Sequence, residues 1–370
     1  IDLSIPLTSG ALDWGLKISD IKTSSAQNFF DQTEQGAVLN PSLSDDFQYQ
    51  ENIFAAYFNI TRDWEQWSLD LGLRAEQTEV MATSKNLGEV NNQYYFELFP
   101  KMSLLYTANQ NNSFGLTYSR SIARPNYESL NPFRYFINEN NYTDGNPNLV
   151  PEIDSKYTFS YTHNNTWFLE AYYWHIKNPL EELRFQNNTT RALQNLETNL
   201  IKGYQYSLDL TYAKSVTSWW YLQVVTSGFF IENEFLAQQS AQQTALANTY
   251  GFYGQIYSGL VLSEQANITS DVTALYISNL IFGSYTYKNQ FNLSASVRKK
   301  IWDKKASITL GVDDIFNTNN IPVVSRYANQ DNGYFARTES RLFRVGFTYN
   351  FGNSKLRDNN REITTKESDR

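Results

Sequence analysis

Apolar and polar residues alternate with period two along much of this chain, in separate segments. Over 67–75, Trp67, Leu69, Leu71, Leu73 and Ala75 share one face, and Ser68, Asp70, Gly72 and Arg74 share the other. Phe114, Leu116 and Tyr118 oppose Ser113, Gly115 and Thr117, and Tyr157, Phe159 and Tyr161 oppose Lys156, Thr158 and Ser160. Further on, Tyr204, Tyr206, Leu208, Leu210 and Tyr212 oppose Gln205, Ser207, Asp209 and Thr211, and Phe291, Leu293, Ala295 and Val297 oppose Asn292, Ser294, Ser296 and Arg298. Such alternation predicts strands with one apolar face. Two stretches, 53–60 and 219–225, are apolar on both faces, as a strand touching a plug or an ordered loop would be.

The connections switch strictly between short and long. About fifteen segments are joined alternately by roughly 4–6 polar residues and by about 10–35. Short connections follow Thr8, Thr61, Ala108, His163, Ala213, Ser263 and Ile301; long ones lie near 23–50, 79–98, 123–154, 177–202, 232–248, 278–288 and 317–338. A soluble sandwich has no reason to gather its tight turns at one end and its long loops at the other, whereas an up-and-down barrel crossing a bilayer does. The fold expected is all-β, a transmembrane antiparallel up-and-down β-barrel.

Composition agrees. No stretch of the 370 residues approaches the roughly 18 consecutive apolar residues of a membrane helix, yet 16% are aromatic, with 26 Tyr, 24 Phe and 8 Trp. Barrels place such rings at both bilayer interfaces. The absence of cysteine removes disulfides and thiolate metal sites. A net charge of −8 without a basic block excludes a nucleic-acid footprint.

The run Arg344-Val345-Gly346-Phe347-Thr348-Tyr349-Asn350-Phe351 resembles the terminal-strand signature of bacterial outer-membrane barrels. The resemblance implies an insertion signal for the barrel-assembly machinery, carried by Arg344, Gly346, Tyr349 and Phe351. It sets Phe343, Val345, Phe347, Tyr349 and Phe351 toward lipid and Arg344, Thr348 and Asn350 toward the lumen. The charged tail 352–370 is expected in the periplasm, following a barrel portion over 1–351.

The middle of the chain resembles a larger family. Ser119-Arg120 and Arg124-Pro125, then Leu130-Asn131-Pro132-Phe133, then Gly145-Asn146-Pro147-Asn148-Leu149-Val150-Pro151-Glu152 look like a run of TonB-dependent outer-membrane receptors, most similar to those of Bacteroidota. Glu51-Asn52-Ile53-Phe54-Ala55-Ala56-Tyr57, Gly72-Leu73-Arg74-Ala75-Glu76, Leu98-Phe99-Pro100 and Val312-Asp313-Asp314-Ile315-Phe316-Asn317-Thr318 match other strands of that family in order. The resemblance implies roughly 22 strands around a plug, of which these would be about the eighth to the last. The plug, the TonB-contacting box and the missing strands are then expected outside these residues. Independently of the family, Gly145, Pro147 and Pro151 read as a turn that brings a long loop back into a strand.

The function implied is import of a scarce nutrient by an energised receptor; a barrel within a larger surface assembly, capped by a lipoprotein, and a passive porin are the alternatives. Expected partners are membrane lipid, the assembly machinery, TonB through the plug, a surface lipoprotein and a small or oligomeric nutrient. Candidate ligand contacts are Arg134, Tyr135, Tyr142 and Asp144, with the Asn- and Gln-rich 185–200 loop, against internal packing of the loops as the alternative. Catalysis is not expected: membrane-barrel hydrolases need a His with an Asp or Ser partner near the rim, whereas His163 falls at a short turn and His175 on the apolar side of its strand. Asp313 and Asp314 alternate across a strand, and Asn329-Gln330-Asp331-Asn332-Gly333 lacks calcium-loop spacing. No cofactor or metal is expected.

Overall fold

The computed structural model describes residues 1–85, 88–237, 240, 243–335 and 337–351. The expected tail 352–370 lies outside the described residues. Fifteen strands form one antiparallel sheet, each paired with the wall strand before and after it in the chain. They are β1 (Asp2–Leu7), β2 (Gly10–Gln27), β3 (Asp45–Asp63), β4 (Trp67–Ser84), β5 (Glu89–Asn109), β6 (Asn112–Ala123), β7 (Glu152–His163) and β8 (Trp167–Lys177). The wall continues with β9 (Lys202–Thr217), β10 (Trp220–Ala237), β11 (Gln243–Ser263), β12 (Ile268–Ile277), β13 (Gln290–Ile301), β14 (Ala306–Asp313) and β15 (Leu342–Tyr349). Among the described residues β1 pairs only with β2 and β15 only with β14, so the sheet is open along two edges.

The two rims differ as the sequence predicts. At one, turns of two to four residues join the strands, such as 8–9, 110–111 and 218–219. Asn164 and Asn165 adopt φ of 52° and 49° in the turn after β7, a left-handed geometry that asparagine tolerates better than most residues. Six of the eight tryptophans, Trp64, Trp67, Trp167, Trp219, Trp220 and Trp302, lie at this rim. Trp67 stacks on Tyr106 at 4.3 Å and Trp167 packs on Tyr212 at 4.6 Å. A ring with a polar N–H and an apolar body belongs where hydrocarbon meets water.

Five of the seven connections at the other rim are long loops, but two expected ones are not. The stretches 79–98 and 232–248 are mostly strand: β4 and β5 run for 18 and 21 residues and meet across 85–88. They are about twice as long as the roughly 9–11 residues that span a bilayer. Their far halves carry polar residues on both faces, so the alternation fades although the backbone ladder continues.

Face assignments hold along the wall. Leu71, Leu73, Leu116, Phe159, Leu208 and Leu210 are exposed on the outer face. On the inner face Ser207 is buried and its Oγ donates to Asp209 at 2.5 Å. The ambiguous stretch 53–60 resolves, with Phe54 and Phe58 outward and Ile53 and Ala55 buried on the inner side. In β15, Phe343, Val345, Phe347 and Tyr349 are exposed, and Arg344 turns inward to Asp313 at 2.7 Å. The strand ends at Tyr349, so Phe351 follows it instead of closing it.

Asp314 has a different role from that expected of a strand residue. It lies just past β14 with φ 44°, fully buried, and accepts the Thr318 and Asn319 amides at 3.0 Å and the Ser340 hydroxyl at 2.6 Å. Burial pushes its pKa up, but these hydrogen bonds outweigh burial and the net displacement is downward. The Asp-Ile-Phe-Asn-Thr word is thus a carboxylate-capped turn at the end of a wall strand.

Candidate functional site

The long loops fold over the inner face and against one another. After β6 the chain makes a single helical turn, α1 (Tyr127–Leu130), and Leu130, Phe133 and Leu149 pack on Phe47, Tyr49, Val80 and Ala82 of the prolonged strands. A hairpin of Arg134–Asn138 and Asn141–Asp144 follows. Its second strand pairs in parallel with Ala192–Asn199, which in turn pairs with Leu180–Asn187. The expected 185–200 loop is therefore mostly a β-hairpin, built on Leu183, Phe185, Leu196 and Leu200, which bury with Phe235 in a second apolar cluster.

A second four-stranded loop sheet, spanning 280–287 and 322–335, completes the layer. Gln330 joins the two loop sheets by accepting the Gln186 amide at 2.6 Å and donating to its carbonyl at 3.1 Å, as a backbone neighbour would. Arg184 lies 5.2 Å from both the Tyr285 and Tyr334 ring centres.

Gly145 is needed for a reason other than a turn. Its φ is not positive, but a Cβ there would sit 1.7 Å from the Asn131 carbonyl oxygen. The Asn146 amide donates to the Ser129 carbonyl at 2.6 Å, so two loop segments run in direct backbone contact. Glycine alone permits that approach.

Three of the four candidate ligand residues come together. Arg134 grips Asp144 through two bonds of 2.7 and 2.8 Å and lies 4.0 Å over the Tyr142 ring, while Gln194 donates to Asp144 at 2.8 Å. Tyr135 points away and is half exposed. The cross-strand pair Arg134 and Asp144 is thus first a clamp on its own hairpin, as the internal-packing alternative requires. Beside it opens a polar cavity of about 510 Å³, lined by Ser42, Ser44, Arg134, Asp144, Asn146 and Gln194 among others.

The sequence did not single out an ionic network on the inner wall. Arg124 bridges Glu51 at 3.2 Å and Glu76 at 2.7 Å, and Arg74 also pairs with Glu76. Arg120 pairs with Glu97 at 2.6 Å and donates to the Leu98 carbonyl. All these residues except Glu97 lie within the family-like words quoted above. Those words record which charges meet across strands β3 to β6.

A second charged feature lies in the loop layer. Glu181 sits opposite Thr198 in its hairpin. Burial and then the Glu152 and Glu197 carboxylates push its pKa up to about 7. A folded value above the unfolded one means that its contribution is favourable below about pH 4.5 and is lost as pH rises through about 7. Glu181→Gln should therefore protect 180–199 from proteolysis at pH 8, by about 1–3 kcal/mol, and change little at pH 4. Equal protection at both values would refute the assignment.

The two histidines lie at opposite rims. His163 Nδ1 hydrogen-bonds Asn112 at 2.9 Å, and His175 stacks on Tyr204 at 5.0 Å. Among the described residues no group of three or more His, Asp or Glu is placed to hold a metal, and no helix is long and apolar enough to cross a membrane.

A model of the outer membrane protein beta-barrel family matches residues 1–349. The chain belongs to that family. Membership places the wall in the outer membrane, with the exposed apolar face of β1 to β15 toward lipid. Similar solved structures include the ferric-catecholate import receptor Fiu from E. coli K12, with 14% identity over 95% of this chain and 53% of that one and a TM-score of 0.61. The copper transporter OprC shares 11% identity over 94% of this chain and 55% of its own, with a TM-score of 0.66. The siderophore receptor PiuA from Acinetobacter baumannii shares 12% over 92% and 54%, with a TM-score of 0.60. This family member spans about half the length of those chains, whose likeness lies in the fold. No curated protein sequence matches it.

Proposed function

We propose that this chain is the C-terminal wall of a TonB-dependent receptor that imports a scarce small nutrient. The loop rim faces outside and the turn rim and tail face the periplasm. The observation that carries the reading is the inward packing of 124–151 on Phe47, Tyr49, Val80 and Ala82. A passive porin gains nothing from a loop layer with its own apolar cores across the mouth, whereas a gated receptor needs one to hold its ligand. Neighbours of the same fold carry ferric siderophores and copper. Here the ligand contacts would come from the polar cavity beside Arg134 and Asp144 and from Tyr142, and Tyr135, which points away, would not take part.

The open edges at β1 and β15 support the same reading. Unpaired backbone groups do not persist in hydrocarbon. On this reading further strands pair there and enclose the plug through which TonB acts.

The test is accumulation by cells of ferric siderophores, copper and labelled oligosaccharides. Uptake of one class should be lost both on deletion of the gene and on collapse of the proton gradient. Uptake that survives collapse of the gradient would overturn the proposal in favour of a porin. Unchanged uptake after deletion, with envelope lipoproteins co-purifying, would overturn it in favour of a surface scaffold.

A further inference from the structure

Strand β5 is paired on both sides only along the half nearer the turn rim. Its ladder with β4 runs unbroken from Trp67 opposite Tyr106 to Ser84 opposite Glu89. Its ladder with β6 stops at Lys101 opposite Ser119. Pro100 supplies the reason. The Thr107 amide donates to the Gln66 carbonyl on the β4 side at 2.8 Å, and successive strand residues turn their backbone groups to opposite sides, so those of the even-numbered β5 residues face β6. Pro100 has no N–H to give there, and a proline ends a ladder on the side its nitrogen faces. Just beyond it the Arg120 guanidinium, in place of a backbone amide, donates to the Leu98 carbonyl.

Past Leu98 the N–H and C=O groups of Phe96, Tyr94 and Asn92 form an open edge beyond the bilayer. Among the described residues no group bonds them on that side. The strand itself is held from within. Gln93 Nε2 donates to the Leu149 carbonyl at 2.7 Å, and Asn91 donates to that of Pro147, so the edge is a fixed template and not a frayed end. Strand β11 outlasts β12 in the same way, but there Ser278 bonds both the Phe252 amide, at 2.7 Å, and its carbonyl, at 2.8 Å. Folded proteins blunt free edges with Lys, Pro or a bulge. Between Val90 and Phe99, β5 has none of the three.

A row of alternating donors and acceptors is complemented by another extended backbone, the strand-addition mode of peptide recognition. Side chains beside the edge narrow the choice. Tyr94 and Phe96 stand outward, 73% and 59% exposed. Glu79 lies directly across from Tyr94 on β4. Lys85, the one cation within 76–97, is held by Asp46, which leaves Glu79 without a cation among the described residues. A Lys or Arg set opposite Tyr94 would lie over that ring and reach toward Glu79, and an apolar residue two places along would cover Phe96. The exposed row faces away from the loop cavity, so its occupant is a docking partner and not cargo. We infer that the free edge of β5 over 92–96 docks an extended segment of another surface polypeptide, which adds a strand to the wall and sets a basic and an apolar residue over Tyr94 and Phe96.

The test uses the full-length receptor in nanodiscs and, as probe, a short capped peptide with lysine and valine alternating on one face and threonine on the other. In the receptor alone, amide hydrogen exchange at Asn92, Tyr94 and Phe96 should be faster than at Gln93 and Tyr95, whose amides bond β4. Bound peptide should slow those three at least about tenfold. Asn92→Pro removes one edge N–H and leaves the β4 ladder whole, as Pro100 does, and should weaken peptide binding at least about tenfold. Asn92→Ala should bind as wild type does. The same peptide N-methylated on alternate amides should fail to bind wild type, so the site stays testable if Asn92→Pro assembles poorly. Glutamate in place of lysine in the peptide should weaken binding likewise. Slow exchange at 92, 94 and 96 in the receptor alone would mean that the chain covers its own edge, and overturns the proposal. Unchanged exchange with peptide, or equal binding of the plain, methylated and glutamate peptides, overturns it as well. Cross-linking of receptor to receptor, through a photoreactive residue in place of Tyr94, would identify a second copy as the occupant and also overturn it.

Discussion

The Arg124→Ala variant unfolds about 3–5 kcal/mol more easily than wild type, because it leaves buried carboxylates without their shared countercharge. Glu51 and Glu76 are each about 95% or more buried, and both bond Arg124. The arginine follows directly on β6 and precedes Pro125, so it also fixes where the 124–151 loop leaves the wall. Loss of that anchor should release Leu130, Phe133 and Leu149 from the prolonged strands. Urea unfolding followed by tryptophan fluorescence measures the first effect, and protease cutting within 126–148 the second. Arg124→Lys should recover only part of the loss, since a single ammonium does not span two carboxylates as a guanidinium does. An unchanged urea midpoint in Arg124→Ala would mean that the network contributes nothing to stability.

Leu208→Arg should cost about 2–4 kcal/mol, the penalty for a cation near the bilayer midplane on the lipid face. Leu208 is 55% exposed on the outer wall. Ser207, its neighbour on the inner face, looks from the sequence like a harmless control for the same substitution. The structure corrects that expectation, since Ser207 is buried among Asp209 and Ser227. Gln223→Arg, inward on β10, is the better control and should stay within about 0.5 kcal/mol of wild type. Refolding yield into vesicles separates the two faces. Equal yields for Leu208→Arg and Gln223→Arg would refute the assignment of inside and outside.

The wall was legible because its two environments are chemically opposed. Where lipid lies on one side and a polar lumen on the other, every second residue must change character, as along 67–75 and 204–212. Beyond the bilayer that constraint vanishes. Strands β4, β5, β10 and β11 run on there through residues that read as loop, and the 185–200 stretch hides a hairpin for the same reason.

The candidate site was legible only in part. Arg134, Tyr142 and Asp144 were found as polar and aromatic groups of one loop, and the structure joins them as a clamp beside the polar cavity. Tyr135 alternates to the other side of its strand, which no composition argument anticipates. Gly145 carries a turn-like motif, but the near contact with Asn131 depends on a segment 14 residues earlier. Glu181 looks like one more surface carboxylate until Glu152 and Glu197 are brought beside it.

By itself the sequence determined the number of wall strands, the separation of turn and loop rims, the apolar face of most wall strands and the kinship of the words that mark them. These depend on local alternation and on chain distance between turns, both of which are linear properties. Tertiary structure alone decided that Arg124 meets Glu51 and Glu76 and that the loops close on two apolar clusters. Each of those joins residues from strands and loops far apart in the chain, and only the register of the folded wall sets which of them become neighbours.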